Sequence, residues 1–410
     1  MSFYSQYLAG IDHQRDGMLA LVEEWALINS GSYNLEGLAR MRQVLMDHFS
    51  TLGAEEHVLD LCDGEIVGDD GAVKSVQYGK ALLYRKRPTA NRRVLLTGHY
   101  DTVFPVDHDF QKVNWIDDNT LHGPGVADMK GGLVVMLTAL KALEASPFGE
   151  KIGYDILLSP DEEVGSIGSA PLLAEYATSA NFGMTFEAAL PDGTLAGARK
   201  GSGNFTAIFH GKAAHAGREF DMGVNAVAHM ARFAADLHDL NATLEDATIN
   251  VAIASGGTAL NVVADHALVR FNMRCWTPEG QKIAEAAVQR LLDKARHIEG
   301  LNVELHGGFT RPPKPMTPQN EKLFQVVKDC GHDLGLDIDW RPTGGCCEGN
   351  NLAAVGLANV DTLGVRGGLT HSDGEFAVAS SFVERARLSA LMLMKYANGD
   401  FDIERETLSK

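Results

Sequence analysis

Two patterns of apolar positions take turns along the chain. Short unbroken runs such as Val94-Leu95-Leu96, Tyr154-Asp155-Ile156-Leu157-Leu158 and Gly183 to Phe186 have the length and composition of buried strands. Between them, apolar residues recur at helical spacing. Leu38, Met41, Leu45, Phe49 and Leu52 predict a helix ending near Gly53, and Leu133, Met136, Leu137, Leu140 and Leu143 predict one that fades by Pro147. Further helices are expected over residues 13–28, 170–176 and 382–397. Residues 55–87 alternate around the turn Gly68-Asp69-Asp70-Gly71, which predicts a hairpin. Strands alternating with helices at these spacings point to an α/β unit with parallel pairing.

Around Gly193 the character changes. Strand-like alternation over 199–211, 248–253, 267–274 and 301–306, with helical patterns over 225–240 and 278–297, gives the order β-α-β-β-α-β. That order builds a small two-layer unit with one open sheet face. Arg311-Pro312-Pro313-Lys314-Pro315 then interrupts both patterns and reads as a hinge. Beyond it the first pattern returns, with a short strand at 337–340, a turn and helix at 344–355 and a strand near 362–365. The expected organisation is therefore one α/β unit from residues 1–193 and 312–410, with an inserted α+β unit at 194–311. Rotation of the two about Gly193 and Pro312 is an added expectation.

A length of 410 residues agrees with more than one core. With 45% apolar and 22% charged residues the composition is globular. The net charge of −18 argues against a nucleic-acid or anionic-membrane surface. No apolar run is long enough for a membrane span, and the first residues lack a signal-peptide pattern. Five scattered cysteines with no CxxC pair fit reduced thiols, and so a cytoplasmic location.

The chemistry gathers where strands are expected to end. His99 and Asp101 follow the first run, and Asp128 follows the turn Gly123-Pro124-Gly125. Asp161-Glu162-Glu163 follows the second run, Glu187 the third, and His371 lies in a glycine-rich segment. In open α/β sheets chemistry sits outside the carboxyl ends of the strands. Imidazole and carboxylate together suit zinc, manganese or cobalt, and one shared carboxylate can bridge two ions about 3.5–4 Å apart. Each residue alone has a plainer reading: a structural histidine, a solvated acidic loop, or a turn cap for Asp101. Their joint placement at strand exits favours a metal site.

Four segments carry a resemblance: Gly98-His99-Tyr100-Asp101-Thr102-Val103, Asp128-Met129-Lys130-Gly131-Gly132, Asp161-Glu162-Glu163-Val164-Gly165-Ser166 and Ala213-Ala214-His215-Ala216-Gly217. In this order they resemble the motifs of the M20 metallopeptidase and amidohydrolase family, nearest its glutamate carboxypeptidase branch. The resemblance implies a zinc-peptidase-like catalytic domain with a mixed sheet flanked by helices, and an inserted lid or dimerisation domain. It implies two zinc ions, with manganese or cobalt as alternatives. Asp128 would bridge them, His99 and Glu187 would complete one, and Glu163 and His371 the other. Glu162 would be the general base, Asp101 would orient His99, and the Asp128-Met129 peptide would be cis. His215 would stabilise the oxyanion, in cis or from the partner subunit of a homodimer formed through the inserted domain.

Asn261, Arg274, Arg311 and Gly345 are expected at the substrate carboxylate by the same resemblance. Guanidinium grips a carboxylate bidentately, and the amides of Gly344-Gly345 precede a helix. The segment Gly344-Gly345-Cys346-Cys347-Glu348-Gly349-Asn350 departs from the family's GGxxDGN form by a Glu for Asp and two thiols. Those thiols are read as buried small apolar residues, with exposure near the site as the alternative. The implied function is a di-zinc hydrolase that cleaves a peptide or N-acyl amide bond beside a free carboxylate. The alternatives are an N-acyl-amino-acid deacylase and a non-catalytic relative that binds a peptide or amino acid.

Overall fold

The computed structural model describes residues 3–405, so the outermost residues of the expected catalytic unit, 1–2 and 406–410, lie outside the described residues. Its larger sheet has six strands in the order Glu55–Leu59, Ala81–Lys86, Gly153–Ser159, Arg93–His99, Phe182–Thr185 and Asn359–Val360. The first three pair antiparallel and the rest pair parallel, so the sheet is mixed. Arg93–His99 and Gly153–Ser159 are buried along their whole length. That is why they read as unbroken apolar runs rather than alternating ones. The helix Lys130–Glu144 packs against Ser380–Asn398 and Arg15–Ala26 on one face of the sheet, around Trp25, Leu96, Met136 and Leu391.

The hairpin expected around Gly68–Gly71 forms from Gly64–Val67 and Val73–Val76. The helix expected over 13–28 forms as Arg15–Ala26, and a short helix that the pattern did not predict, Ser5–Asp12, precedes it. The strand expected near 362–365 pairs earlier, at Asn359–Val360, because Thr362 and Leu363 instead turn across the end of the neighbouring strand. Leu363 and Val365 are buried all the same, so their apolar character could not fix the register.

Residues 201–311 build a second, wholly antiparallel sheet in the order Ala247–Gly256, His266–Cys275, Gly201–His210, Asn302–Arg311. Two helices, Ala226–Asp239 and Pro278–Arg296, cover one face around a core of its own containing Phe205, Phe233, Phe271 and Leu292. On the strand His266–Cys275, Phe271, Met273 and Cys275 point into that core, while Arg270, Asn272 and Arg274 point to the open face. The hairpin from the larger unit reaches this face: Arg270 donates to Asp69 at 2.7 Å and to the Val67 carbonyl at 2.9 Å.

The two crossing segments are knit together. Arg199 and Lys314 form an antiparallel bridge, and both donate to Asp361 at 2.8 Å. All three are buried. Burial pushes the Asp361 carboxyl up, but Arg199 and Lys314 together hold it below its ordinary value.

Candidate metal centre

Three parallel neighbours in the large sheet release ligand-type residues at the same level. His99 ends its strand opposite Ser159, and Thr97 lies opposite Thr185. Adjacent strands sit about 4.8 Å apart, so His99, Glu162-Glu163 and Glu187 leave the sheet side by side. Asp128 is brought up by the turn before the helix Lys130–Glu144 and is joined to Met129 by a cis peptide. The next two glycines explain the motif. A Cβ at Gly131 would lie 2.3 Å from the Val126 carbonyl oxygen, and one at Gly132 would lie 1.9 Å from that of Phe186. Only glycine lets this helix approach the strand end so closely. His371 arrives from the last loop with φ of 62°, a left-handed conformation uncommon outside glycine.

These side chains converge. His99 Nε2 is 3.1 Å from Asp128 Oδ1 and 3.7 Å from Glu187 Oε1. His371 Nε2 is 3.3 Å from Asp128 Oδ2 and 3.0 Å from Glu163 Oε2. Asp128 thus offers one oxygen to each histidine. Ligand atoms of His99, Asp128 and Glu163 all lie within 4.8 Å of one another, as do those of His99, Glu162 and Glu187. Burial pushes the Glu187 carboxyl up to about 7, and burial beside Asp128 also drives Glu163 well above its ordinary value. Burial disfavours a charged His99, but the carboxylates of Glu187, Asp101 and Asp128 outweigh it and raise its pKa well above normal. Crowded carboxylates of this kind repel one another and favour a bound cation. The oxygen and imidazole donors fit a pair of divalent ions.

Asp101 is fully buried and supports the cluster from behind. Its Oδ1 lies 3.3 Å from His99 Nδ1 and its Oδ2 accepts from Ser32 at 2.7 Å. It also accepts the amides of Glu162 and Glu163 at 3.1 Å. Asp161 turns away and accepts from the amides of Gly168 and Ser169, although it shares the acidic run. Glu375, absent from the expected set, is buried and accepts the amides of Gly125, Ala127 and Asp128 at 2.9–3.0 Å. It fixes the turn that carries Asp128. Its proximity to His371 in one glycine-rich segment was the available signal.

Among the described residues, Glu162 forms an ion pair with Arg311. Arg311 Nη2 donates to Glu162 Oε1 at 2.5 Å and to the Glu162 carbonyl at 3.0 Å. Its Nη1 donates to Asn351 Oδ1 at 2.8 Å and to the Gly165 carbonyl at 3.2 Å. Arg311, expected as a carboxylate handle, is thus buried with both Nη atoms engaged inside the chain. Arg274 is half-buried at the open face. It donates through Nε to Asn272 at 2.9 Å and through Nη1 to the Gly344 carbonyl at 3.3 Å. Gly345 is exposed, and its carbonyl accepts from Arg199.

His215 and Asn261 lie together on adjoining turns of the inserted unit. The two segments are joined by the His215–Val262 bridge and by Ala216 donating to the Asn261 carbonyl. Both are exposed, and among the described residues His215 forms no ion pair with the carboxylates of the centre. Glu348 is fully buried behind the centre against Ser159, and burial pushes its carboxyl up to about 8. Cys347 is buried and its sulfur accepts the Gly349 amide, while Cys346 is half-buried with its sulfur 3.5 Å from Arg274.

Known proteins place this arrangement. The profile of peptidase family M20/M25/M40 matches residues 95–395. Carboxypeptidase G2 of Pseudomonas sp. (strain RS-16) is 25% identical over 401 residues, covering 96% of this chain and 92% of its own. Succinyl-diaminopimelate desuccinylase of Psychrobacter sp. (strain PRwf-1) is 25% identical over 370 residues, covering 86% and 89%. In fold, a tripeptidase from Staphylococcus aureus superposes with a TM-score of 0.72 at 22% identity, covering 94% of this chain and 99% of its own. An M20 family metallo-carboxypeptidase from Sulfolobus solfataricus gives 0.71 at 17% identity, covering 93% and 99%. The chain belongs to peptidase family M20/M25/M40 and is a metal-dependent hydrolase.

Proposed function

We propose that the chain hydrolyses a peptide or N-acyl amide bond beside a free carboxylate, as a carboxypeptidase-like enzyme with a pair of zinc ions. In this reading His99 and Glu187 would hold one ion and Glu163 and His371 the other, with Asp128 available to both. Such ions supply Lewis acidity, polarising the amide carbonyl and making water more acidic. The observation that carries the proposal is the convergence of five ligand side chains beside a carboxylate, Glu162, held by its own arginine.

Glu162 takes a proton from the attacking water and returns it to the leaving amine nitrogen. Arg311 is its positioning residue, and Asp101 sets the tautomer of His99 by facing Nδ1. Arg274, with Gly345 and Asn261, receives the substrate carboxylate. Nη2 of Arg274 has no partner among the described residues and is available to it. His215 donates to the oxyanion. Its place on the exposed turn of the inserted unit supports delivery from the partner subunit of a homodimer formed through that unit. A cytoplasmic location agrees with five free thiols and with no described helix being long and apolar enough to cross a membrane.

The test is Glu162→Gln in metal-loaded protein, assayed on dipeptides and N-acyl amino acids. We expect kcat to fall by roughly 10²–10⁴ while bound metal, measured by elemental analysis, is retained. A variant that keeps the wild-type rate would refute the assignment.

A further inference from the structure

One buried carboxyl near the centre has no part in holding metal or substrate. Glu348 opens the short helix Glu348–Ala354 and is fully shielded from solvent. Its Oε1 meets the Ser159 hydroxyl, and its Oε2 is buried with no hydrogen-bond partner among the described residues. Burial pushes the carboxyl up to about 8, with Glu162 adding to the rise, while the Ser159 hydrogen bond, His99 and Arg311 pull against it. Arg311 does not pair with it, because both Nη atoms already serve Glu162, Asn351 and the Gly165 carbonyl.

An ionised carboxylate with one bare oxygen costs far more in such a place than a neutral acid does. The neutral acid also accounts for the contact. With its proton on Oε1, Glu348 donates to Ser159 Oγ, and Oε2 is left as a carbonyl oxygen. Ser159 in turn stands at the root of the segment that carries the general base. It ends its strand opposite His99, and its carbonyl accepts the Tyr100 amide at 3.0 Å. Pro160 follows and has no amide proton to anchor the chain. Further along, Asp101 accepts the amides of Glu162 and Glu163, and Arg311 donates to the Glu162 carbonyl. The Glu348 bond therefore fixes the near end of a segment whose far end is held by Asp101 and Arg311. Three positions along the same helix, on the same face, Asn351 accepts from Arg311 at 2.8 Å. One helix thus grips both the root of the base's segment and the arginine that holds the base.

We propose that Glu348 is a positioning residue for the general base, acting as an uncharged hydrogen-bond donor to Ser159. Through Ser159 it sets where the strand ends, and so where the Glu162 carboxylate stands. It touches neither substrate nor reacting atoms. The inference rests on the amide-hydrolase reading above, in which Glu162 is the base.

Steady-state hydrolysis of a cleaved amide by metal-loaded protein tests it, with Glu348→Leu, Glu348→Gln, Ser159→Ala and the double variant Glu348→Leu/Ser159→Ala. We expect Glu348→Leu to lower kcat about tenfold to a hundredfold, the scale of a displaced base, with KM within a few-fold and metal content retained. Glu348→Gln, whose amide nitrogen can donate to Ser159 Oγ, recovers the greater part of that loss. Ser159→Ala reproduces it, and the double variant is no slower than either single one, because both changes remove the same bond. Equal losses in Gln and Leu, a rise in KM at constant kcat, or single effects that multiply in full overturn the inference. If Glu348→Leu does not fold, Ser159→Ala decides: a wild-type kcat there overturns the clamp, and the expected loss supports it. If the wild-type protein cleaves no amide, the hydrolase reading fails by itself, and Glu348 is read by infrared difference spectroscopy between wild type and Glu348→Gln at neutral pH. A protonated-carboxyl carbonyl band that Ser159→Ala shifts supports the neutral clamp, and no such band, or one that Ser159→Ala leaves in place, overturns it.

Discussion

Replacing Arg311 separates two roles for a buried guanidinium. Arg311→Met keeps an unbranched apolar stem but ends about where Nε sat, and removes four donated hydrogen bonds: two to Glu162, one to Asn351 and one to Gly165. Breaking one side of a buried ion pair costs about 3–5 kcal/mol. The Glu162 side chain is 10% exposed and can turn toward solvent, so the lower end, about 3 kcal/mol, is expected. The effect on rate is distinct. A displaced base loses about 10²-fold for an error near 1 Å, equivalent to about 2.7 kcal/mol in the barrier. If Arg311 positions Glu162, kcat falls by about this factor while KM stays within a few-fold. Arg311→Lys then restores part of kcat, because an ammonium can hold the carboxylate but cannot also span Asn351. The assay is steady-state hydrolysis of a cleaved amide at constant metal loading, with thermal denaturation in parallel. A large rise in KM at unchanged kcat would show that the guanidinium serves the substrate carboxylate instead, and would refute the positioning role.

Glu375→Gln should weaken metal affinity and lower stability by about 1–3 kcal/mol, because a carboxamide nitrogen would face one of three buried amide donors; calorimetric metal titration reads it, and wild-type affinity would count against the buttress. Asp361→Asn leaves Arg199 and Lys314 buried without their anion and should cost about 3–5 kcal/mol at neutral pH. Since the folded pKa of Asp361 lies below its ordinary 3.8, its contribution is complete above that value and is lost as pH falls through the folded one. The gap in melting temperature between wild type and variant should therefore close in acid, and a gap that widens there contradicts the ion triad. Chelation should lower the melting temperature: ions at a hundredfold excess over their Kd add about 2.7 kcal/mol, and an unchanged midpoint after verified removal speaks against the cluster.

What the sequence alone determined is local. Whether a residue lies at the end of a buried strand is written in the run that precedes it, so Val94–Leu96 foretold the exit at His99, and the runs before Glu162-Glu163 and Glu187 foretold theirs. The inserted sheet was legible for the same reason, since a two-residue period and a helical period are readable without knowing the partner strand. What the tertiary structure decided is direction and pairing. Asp161 and Glu162 are neighbours of the same chemical type, yet one caps a turn and the other faces the centre. Arg311 reaches Glu162 across 149 positions, and Glu375 reaches the Asp128 turn across 247. A long side chain takes its direction from the packing around it, and a buried charge seeks whatever countercharge or amide the fold brings near. No local pattern encodes that choice, because the partner enters only when distant segments close on one another.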